Sequence, residues 1–227
     1  MMTIRKAGDR GTTGIGWLDS KHTFSFGDYS DPRHDHFRTL RVINDDRIAA
    51  GGGFGTHPHR DMEIFTWVLS GSLEHRDSMG TGSTIRAGEW QAMSAGTGVS
   101  HSEFNPSETE PVRLLQMWVF PERRGLTPAY QQRAFAPPPG TWATTLSPDG
   151  RDGSMVIHQD AVVRTASLTD TPLTHELADG RGAWLQVATG TATVNGHALT
   201  EGDAVAIEGE PSVTLTGTGQ VVLFDLA

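Results

Sequence analysis

The segment from Gly51 to Asn105 constrains this chain more than any other. It opens with Gly-Gly-Gly-Phe-Gly-Thr-His-Pro-His (51–59) and closes with Gly-Thr-Gly-Val-Ser-His-Ser-Glu-Phe-Asn (96–105). Within it lie two pairs at i, i+2 spacing, His57/His59 and His101/Glu103. On a β-strand, residues two apart point to the same face. Two such strands side by side in a small barrel aim three imidazoles and one carboxylate into one space. Those donors suit a first-row transition metal. They leave one or two positions open on a five- or six-coordinate ion, and an open position separates a catalytic site from a structural one. The chain has ten histidines, so a chance His-x-His is no surprise. His34/His36 reads as one, since it sits in a polar stretch with no partner pair. The later set differs because glycines precede it, Glu63 follows four residues after His59, and a second glycine-rich turn leads into His101.

The surrounding sequence reads as all-β. Its 27 glycines and 12 prolines punctuate short β-rich runs, the pattern of a sandwich or barrel. Strands are expected over Ile64–Leu69, Ser72–His75, Ile85–Ser94 and Arg113–Phe120. One short helix is expected over Thr127–Gln132, where Thr-Pro resembles an N-cap followed by a first-turn proline. Asn44-Asp45-Asp46 carries a turn signal. Phe24 and Phe26 share a face and read as core packing. His75 reads as a solvated strand or turn residue. Gln116 and Trp118 share a face and are candidates for lining a metal cavity, although Trp118 serves equally well as core filler.

Composition removes whole classes of function. A net charge of −9 argues against nucleic-acid binding. No apolar run approaches the roughly 20 residues of a membrane span, and the N-terminal residues do not read as a signal peptide. With no cysteine there is neither a disulfide framework nor a thiolate metal site. A cytoplasmic monomer is the expectation. No P-loop, dinucleotide fingerprint or nucleophile elbow occurs.

Phe135-Ala-Pro-Pro-Pro-Gly140 is the sharpest break in composition and sets a boundary between residues 1–134 and 135–227. The second half repeats the first weakly. Val68-Leu-Ser-Gly-Ser-Leu73 resembles Val187-Ala-Thr-Gly-Thr-Ala192, and Ala87–Met93 resembles Glu201–Ile207. The loop of the second copy contains Asn195-Gly196, a type I′ hairpin signal. Equivalent spacings place Glu176, Ala178, Leu215 and Gly217 where the first copy has its two pairs. One metal is therefore expected, in the N-terminal half.

The glycine framing resembles the cupin superfamily. The family's first motif, G-x5-H-x-H-x3-E followed by Gly, matches Gly51, His57, His59, Glu63 and Gly71. Its second matches Gly88, Gly96, His101 and Asn105, with Ser94 standing where that motif has proline. Over its length the chain is similar to the pirin family, bacterial group. The stretches that carry this are Arg5-Lys6-Ala7, Gly16–Ser20, His22–Phe26, Leu40–Asp46, Gly55–His59, Met93–Gly98 and His101-Ser102-Glu103. The resemblance implies a bicupin of two small antiparallel jelly-roll β-barrels facing each other. It implies iron, most readily Fe(II), or another divalent metal, held by His57, His59, His101 and Glu103. Glu63, a ligand in many other cupins, then supports the site without touching the metal.

The activity implied is that of a quercetin 2,3-dioxygenase, cleaving a flavonol with dioxygen. Glu103 would serve as the catalytic base for a substrate hydroxyl. The alternative is a metal-containing regulatory protein that binds a protein partner, with flavonol activity incidental. An enzyme requires an aromatic-sized pocket opening onto the metal. A regulator requires a sizeable exposed apolar patch away from it.

Overall fold

The computed structural model describes residues 1–227. The first half contains β1 (Met2–Arg5), β2 (Gly11–Ile15), β3 (Leu18–His22), β4 (Leu40–Ile48), β5 (Gly53–His59) and β6 (Glu63–Ser70). It continues with β7 (Ser72–Asp77), β8 (Gly82–Arg86), β9 (Glu89–Ser94), β10 (Val99–Phe104), β11 (Val112–Val119) and β12 (Ala129–Ala134). The second half contains β13 (Ala143–Ser147), β14 (Met155–Val156), β15 (Ala161–Leu168), β16 (Leu173–Glu176), β17 (Gly182–Val194), β18 (His197–Thr200), β19 (Ala204–Glu208) and β20 (Ser212–Leu226). No helix is long and apolar enough to cross a membrane.

In the first half a seven-stranded sheet, ordered β12-β9-β6-β11-β4-β3-β2, packs against a four-stranded sheet, β5-β10-β7-β8. The second half is one nine-stranded sheet following β1-β19-β17-β20-β15-β13-β14, with β16 on β20 and β18 on β17. The all-β, two-part jelly-roll architecture is the one expected, but the sheets remain open and do not close into barrels. Sheet membership crosses the 134/135 division once, because β1 pairs with β19 of the second half.

Strand alternation gives the seven-stranded sheet two different faces. Leu114, Ile48, Val68 and Leu18 point toward the four-stranded sheet and pack with Leu73 and Ile85. Leu115, Met117, Phe65 and Ile43 point the other way, into a cluster of 21 buried residues that includes Leu146, Trp184 and Phe224 of the second half. A strand buried on both faces needs a nearly continuous apolar run. That is the reason for Ile64–Leu69.

Two local expectations fail. Asn44-Asp45-Asp46 is not a turn but the middle of β4, paired with β3 on one side and β11 on the other. All three residues are buried. Thr127–Gln132 is not a helix: Ala129–Ala134 form strand β12 along the edge of β9. Six residues are too few for a stable helix, whereas an open sheet edge offers a ladder of hydrogen bonds.

The internal repeat is visible in the backbone. Gly71 and Gly190 both have φ of 76°, and Gly88 and Gly202 have φ of 83° and 82°. Asn195 and Gly196 both take positive φ and close the β17–β18 hairpin, as a type I′ turn demands.

Arg113 on β11 ties the halves together. It donates two parallel bonds of 2.9 Å to the Asp45 carboxylate, and it reaches Ala188 O at 3.0 Å and Glu201 Oε1 at 2.8 Å in the second half. Burial raises the pKa of Asp45, but the Arg113 hydrogen bonds and the charges of Arg113, Arg10 and Arg47 outweigh it and hold it below the usual range. The stabilisation is therefore complete above the unfolded carboxylate pKa and is lost as pH falls through the folded value. Arg113→Ala leaves a buried carboxylate with no hydrogen bond and only Arg10, at 3.6 Å, and the half-exposed Arg47 for charge. It is expected to cost about 3 kcal/mol at neutral pH in urea denaturation. A cost below about 1 kcal/mol, the range of an exposed pair, would refute the bridging role.

Candidate metal centre

Both i, i+2 pairs fall on neighbouring strands. His57 and His59 lie on β5, His101 and Glu103 on β10, and His101 pairs directly opposite His57. The register shifts between His101 and Glu103, so Glu103 faces Phe54. His57, His59 and His101 bring one donor atom each within 4.8 Å of one another. A second triple, His75, His101 and Glu103, meets the same limit and shares His101. Both groups lie in the first half. In the second half, His175 is buried and bonded to Asp225 at 2.8 Å, while adjacent Glu176 is exposed.

Hydrogen bonding fixes where the imidazole protons sit. His57 donates Nδ1–H to Gly55 O at 2.8 Å, which leaves a lone pair on Nε2. His75 bonds Asp77 Oδ2 through Nε2 at 3.1 Å, and its Nδ1 accepts from Gln91 Nε2 at 3.4 Å. His75 Nδ1 is thus an acceptor, and the ring that donates to it at 3.4 Å is His101, through Nδ1. His101 Nε2 then carries a lone pair too. It stands 3.1 Å from His57 Nε2. Two nitrogen lone pairs aimed at one another repel unless they share a cation, so the donor set fits a metal.

The electrostatics agree with that. Burial, reinforced by neighbouring His57, pushes His59 down to about 4. Burial together with the neighbouring histidines pushes His101 down to about 3. Both rings are neutral at pH 7, the form that ligates. Burial raises Glu103 to about 7, against the hydrogen bond from Gln116 and with the charge of Asp46. Its Oε2 accepts from Gln116 Nε2 at 2.6 Å, while its buried Oε1 has no partner. An orphaned carboxylate oxygen is costly in a dry interior and suits a cation.

His57, His59 and Glu103 line a cavity of about 390 Å³ whose walls include Phe26, Phe54, Gln116 and Trp118. Trp118 meets His59 edge-on, with centroids 5.0 Å apart, and meets Phe26 edge-on at 5.4 Å. Both Gln116 and Trp118 therefore reach the cavity. Glu63 lies elsewhere: its Oε2 accepts from Ser94 Oγ at 2.9 Å and from the His158 backbone N–H at 3.3 Å, at the junction of the halves. His34 and His36 stay apart from the cluster and bond Asp31 and Asp35.

His75 corrects the expectation of a solvated residue, since it is fully buried. It stacks on Tyr130 and stands between Asp77 and His101. Period-2 alternation was the available signal, because Leu73, His75 and Asp77 follow one another on the inward face of β7. The charged neighbours Glu74 and Arg76 concealed it.

Residues 3–119 match the Pirin family model, and residues 144–226 match the quercetinase C-terminal cupin domain. The chain belongs to the pirin family. This pirin is 51% identical to the quercetin 2,3-dioxygenase of Escherichia coli strain K12, over 100% of its own length and 99% of that protein. It is 43% identical to a putative quercetin 2,3-dioxygenase of Pasteurella multocida, covering 100% of both chains. Its fold matches the crystal structure of the bacterial pirin YhhW from E. coli in complex with nickel(II). The TM-score is 0.96 at 49% identity, covering 100% of this chain and 99% of that one. The donor cluster found here is of a kind that can hold a metal ion.

The Asp77–His75–His101 chain sets the tautomer and tilt of His101. His75→Phe keeps a ring against Tyr130 but removes the acceptor for His101 Nδ1–H. It is expected to weaken Ni(II) binding about 10–100-fold by titration calorimetry, with far-UV circular dichroism retained. Unchanged affinity would show that His75 does not position His101.

Proposed function

We propose that this pirin cleaves a flavonol such as quercetin with dioxygen. The reaction uses one divalent metal, most readily Fe(II), held by His57, His59, His101 and Glu103. The observation that carries this reading is an aromatic-walled cavity of about 390 Å³ lined by His57, His59 and Glu103, with His101 clustered beside the two histidines. Similarity to the E. coli quercetin 2,3-dioxygenase supports it across the whole chain. The metal, when bound, supplies Lewis acidity toward the flavonol oxygen and a path for electron density to dioxygen.

The chain's own groups do the rest. Trp118, Phe26 and Phe54 offer ring faces and edges that hold a flat polycyclic substrate and exclude water. Glu103 takes the proton of the substrate's hydroxyl through Oε1, which has no hydrogen-bond partner of its own. Gln116 Nε2 holds Glu103 Oε2 and keeps the carboxylate turned toward the imidazoles. His57, through Gly55 O, and His101, through His75, keep their Nε2 atoms unprotonated and aimed inward.

The test is aerobic turnover of quercetin by protein reconstituted with Fe(II), Ni(II) and other first-row ions. Flavonol absorbance and carbon monoxide release are followed, with His101→Ala as control. The expected outcome is flavonol loss with gas release in the wild type, and neither in the variant. Stoichiometric metal binding with no turnover for any ion would overturn the dioxygenase reading. Full activity in metal-free His101→Ala would overturn the site.

A further inference from the structure

The cavity has a second polar wall that the metal chemistry does not use. The inward face of β2, β3 and β4 presents Thr13, then Ser20 and His22, then Asn44 and Asp46. Ser20, His22, Asn44 and Asp46 are each at least nine-tenths buried. Asp and Asn are poorly suited to the middle of a strand, and burying their polar groups is costly.

Its hydrogen bonds run in one direction. Ser20 Oγ–H donates to Asp46 Oδ1, so the Ser20 oxygen is left as an acceptor beside His22 Nδ1, 3.4 Å away. His22 Nδ1 therefore carries the proton and gives it chiefly to Asn44 Oδ1 at 2.8 Å. His22 Nε2 then accepts the Thr13 hydroxyl at 2.8 Å. Burial lowers the pKa of His22 and keeps the ring neutral, so it brings no positive charge to the wall.

Asp45 and Asp46 show what is unusual. Asp45 points to the opposite face and is fully engaged by Arg113, with Arg10 and Arg47 near. Asp46 points into the cavity, is 2% exposed, and has one hydroxyl, Ser20, as its hydrogen-bond donor. A carboxylate has about four acceptor sites. A hydrogen-bond donor that enters the cavity can satisfy the remainder. Phenolic hydroxyls are strong donors to carboxylates, in bonds roughly twice as strong as neutral ones.

Building on the flavonol reading above, we propose that the Thr13–Ser20–His22–Asn44–Asp46 wall is a substrate-recognition subsite. In it Asp46 accepts a hydrogen bond from a phenolic hydroxyl that is not the one at the metal. The subsite makes this pirin select polyhydroxylated flavonols over bare ones. Asp46 is a specificity-determining residue and takes no part in the oxygen chemistry. A site built around a substrate hydroxyl rejects the analogue that lacks it, because the buried acceptor is then left unpaired.

The experiment compares quercetin with 3-hydroxyflavone, which keeps the reacting hydroxyl and lacks all others, using the metal-loaded protein. The readout is the ratio of kcat/KM for the two compounds in wild type, Asp46→Leu and Asp46→Asn. Asp46→Leu is expected to lower that ratio about 10–100-fold, the value of a hydrogen bond to a charged group. Asp46→Asn keeps an acceptor oxygen and the side chain's shape, so a smaller drop is expected; it carries the test if the leucine variant does not fold. An unchanged ratio in a folded variant overturns the subsite, because a merely structural role would lower both values together. If the wild type turns over neither compound, the dioxygenase reading fails separately. The same ratio is then read from dissociation constants by quenching of tryptophan fluorescence. Equal affinities for the two flavonols would overturn the subsite there too.

Discussion

The candidate metal centre depends on how β10 is held between two partners. β5 on one side sets His57 opposite His101, and β7 on the other sets Asp77 opposite His101 and His75 opposite Glu103. One strand thus carries two of the candidate donors, and its neighbours supply the other two and the groups that orient the shared histidine. The spacing works only because β5 contains a bulge. From His57 back to Phe54 is three residues, while β10 advances two from His101 to Glu103. A bulge bends and twists its strand. Close approach is also needed: a Cβ on Gly53 would stand 2.3 Å from Glu103 O. Glycine at that position lets the backbones meet.

The parts of this arrangement that depend on spacing within one strand were legible in the sequence. His57/His59 and His101/Glu103 are i, i+2 pairs, and strand periodicity alone puts each pair on one face. Gly71, Gly88, Gly190 and Gly202 marked the repeat, because backbone conformations with positive φ favour one residue type. What the sequence hid was set by neighbours distant along the chain. Asn44-Asp45-Asp46 has strong turn chemistry, but pairing with β3 and β11 on both sides overrode it. The alternation from Leu40 and Val42 through to Ile48 was the weaker, correct signal. Pairing with β9 likewise made a strand of Ala129–Ala134 where a Thr-Pro start suggested a helix. His75 could be placed inward by alternation with Leu73 and Asp77, but its link to the donor cluster runs through His101, 26 residues away.

The two copies of the fold show what a site costs. In the second half, Leu215 occupies the position equivalent to His101 and packs in a cluster of 15 buried residues, all of them Ala, Val, Leu or Ile. In the first half, the space between the two sheets divides. One end holds a cluster of seven apolar residues, and the other holds imidazoles, carboxylates and amides around the cavity. Those polar groups give up packing and hydration together, and several are left incompletely paired, including Glu103 Oε1 and Gln91 Oε1. A chain departs from local consistency in this way at functional sites and compensates elsewhere. Here the compensation is the shared cluster of 21 residues, which fastens the outer face of the seven-stranded sheet to the second half. The C-terminal half, whose register puts Leu173 and Leu215 where the first half pairs His57 with His101 and ties His175, the counterpart of His59, to Asp225, acts as the apolar buttress. It lets the first half keep a polar, open interior.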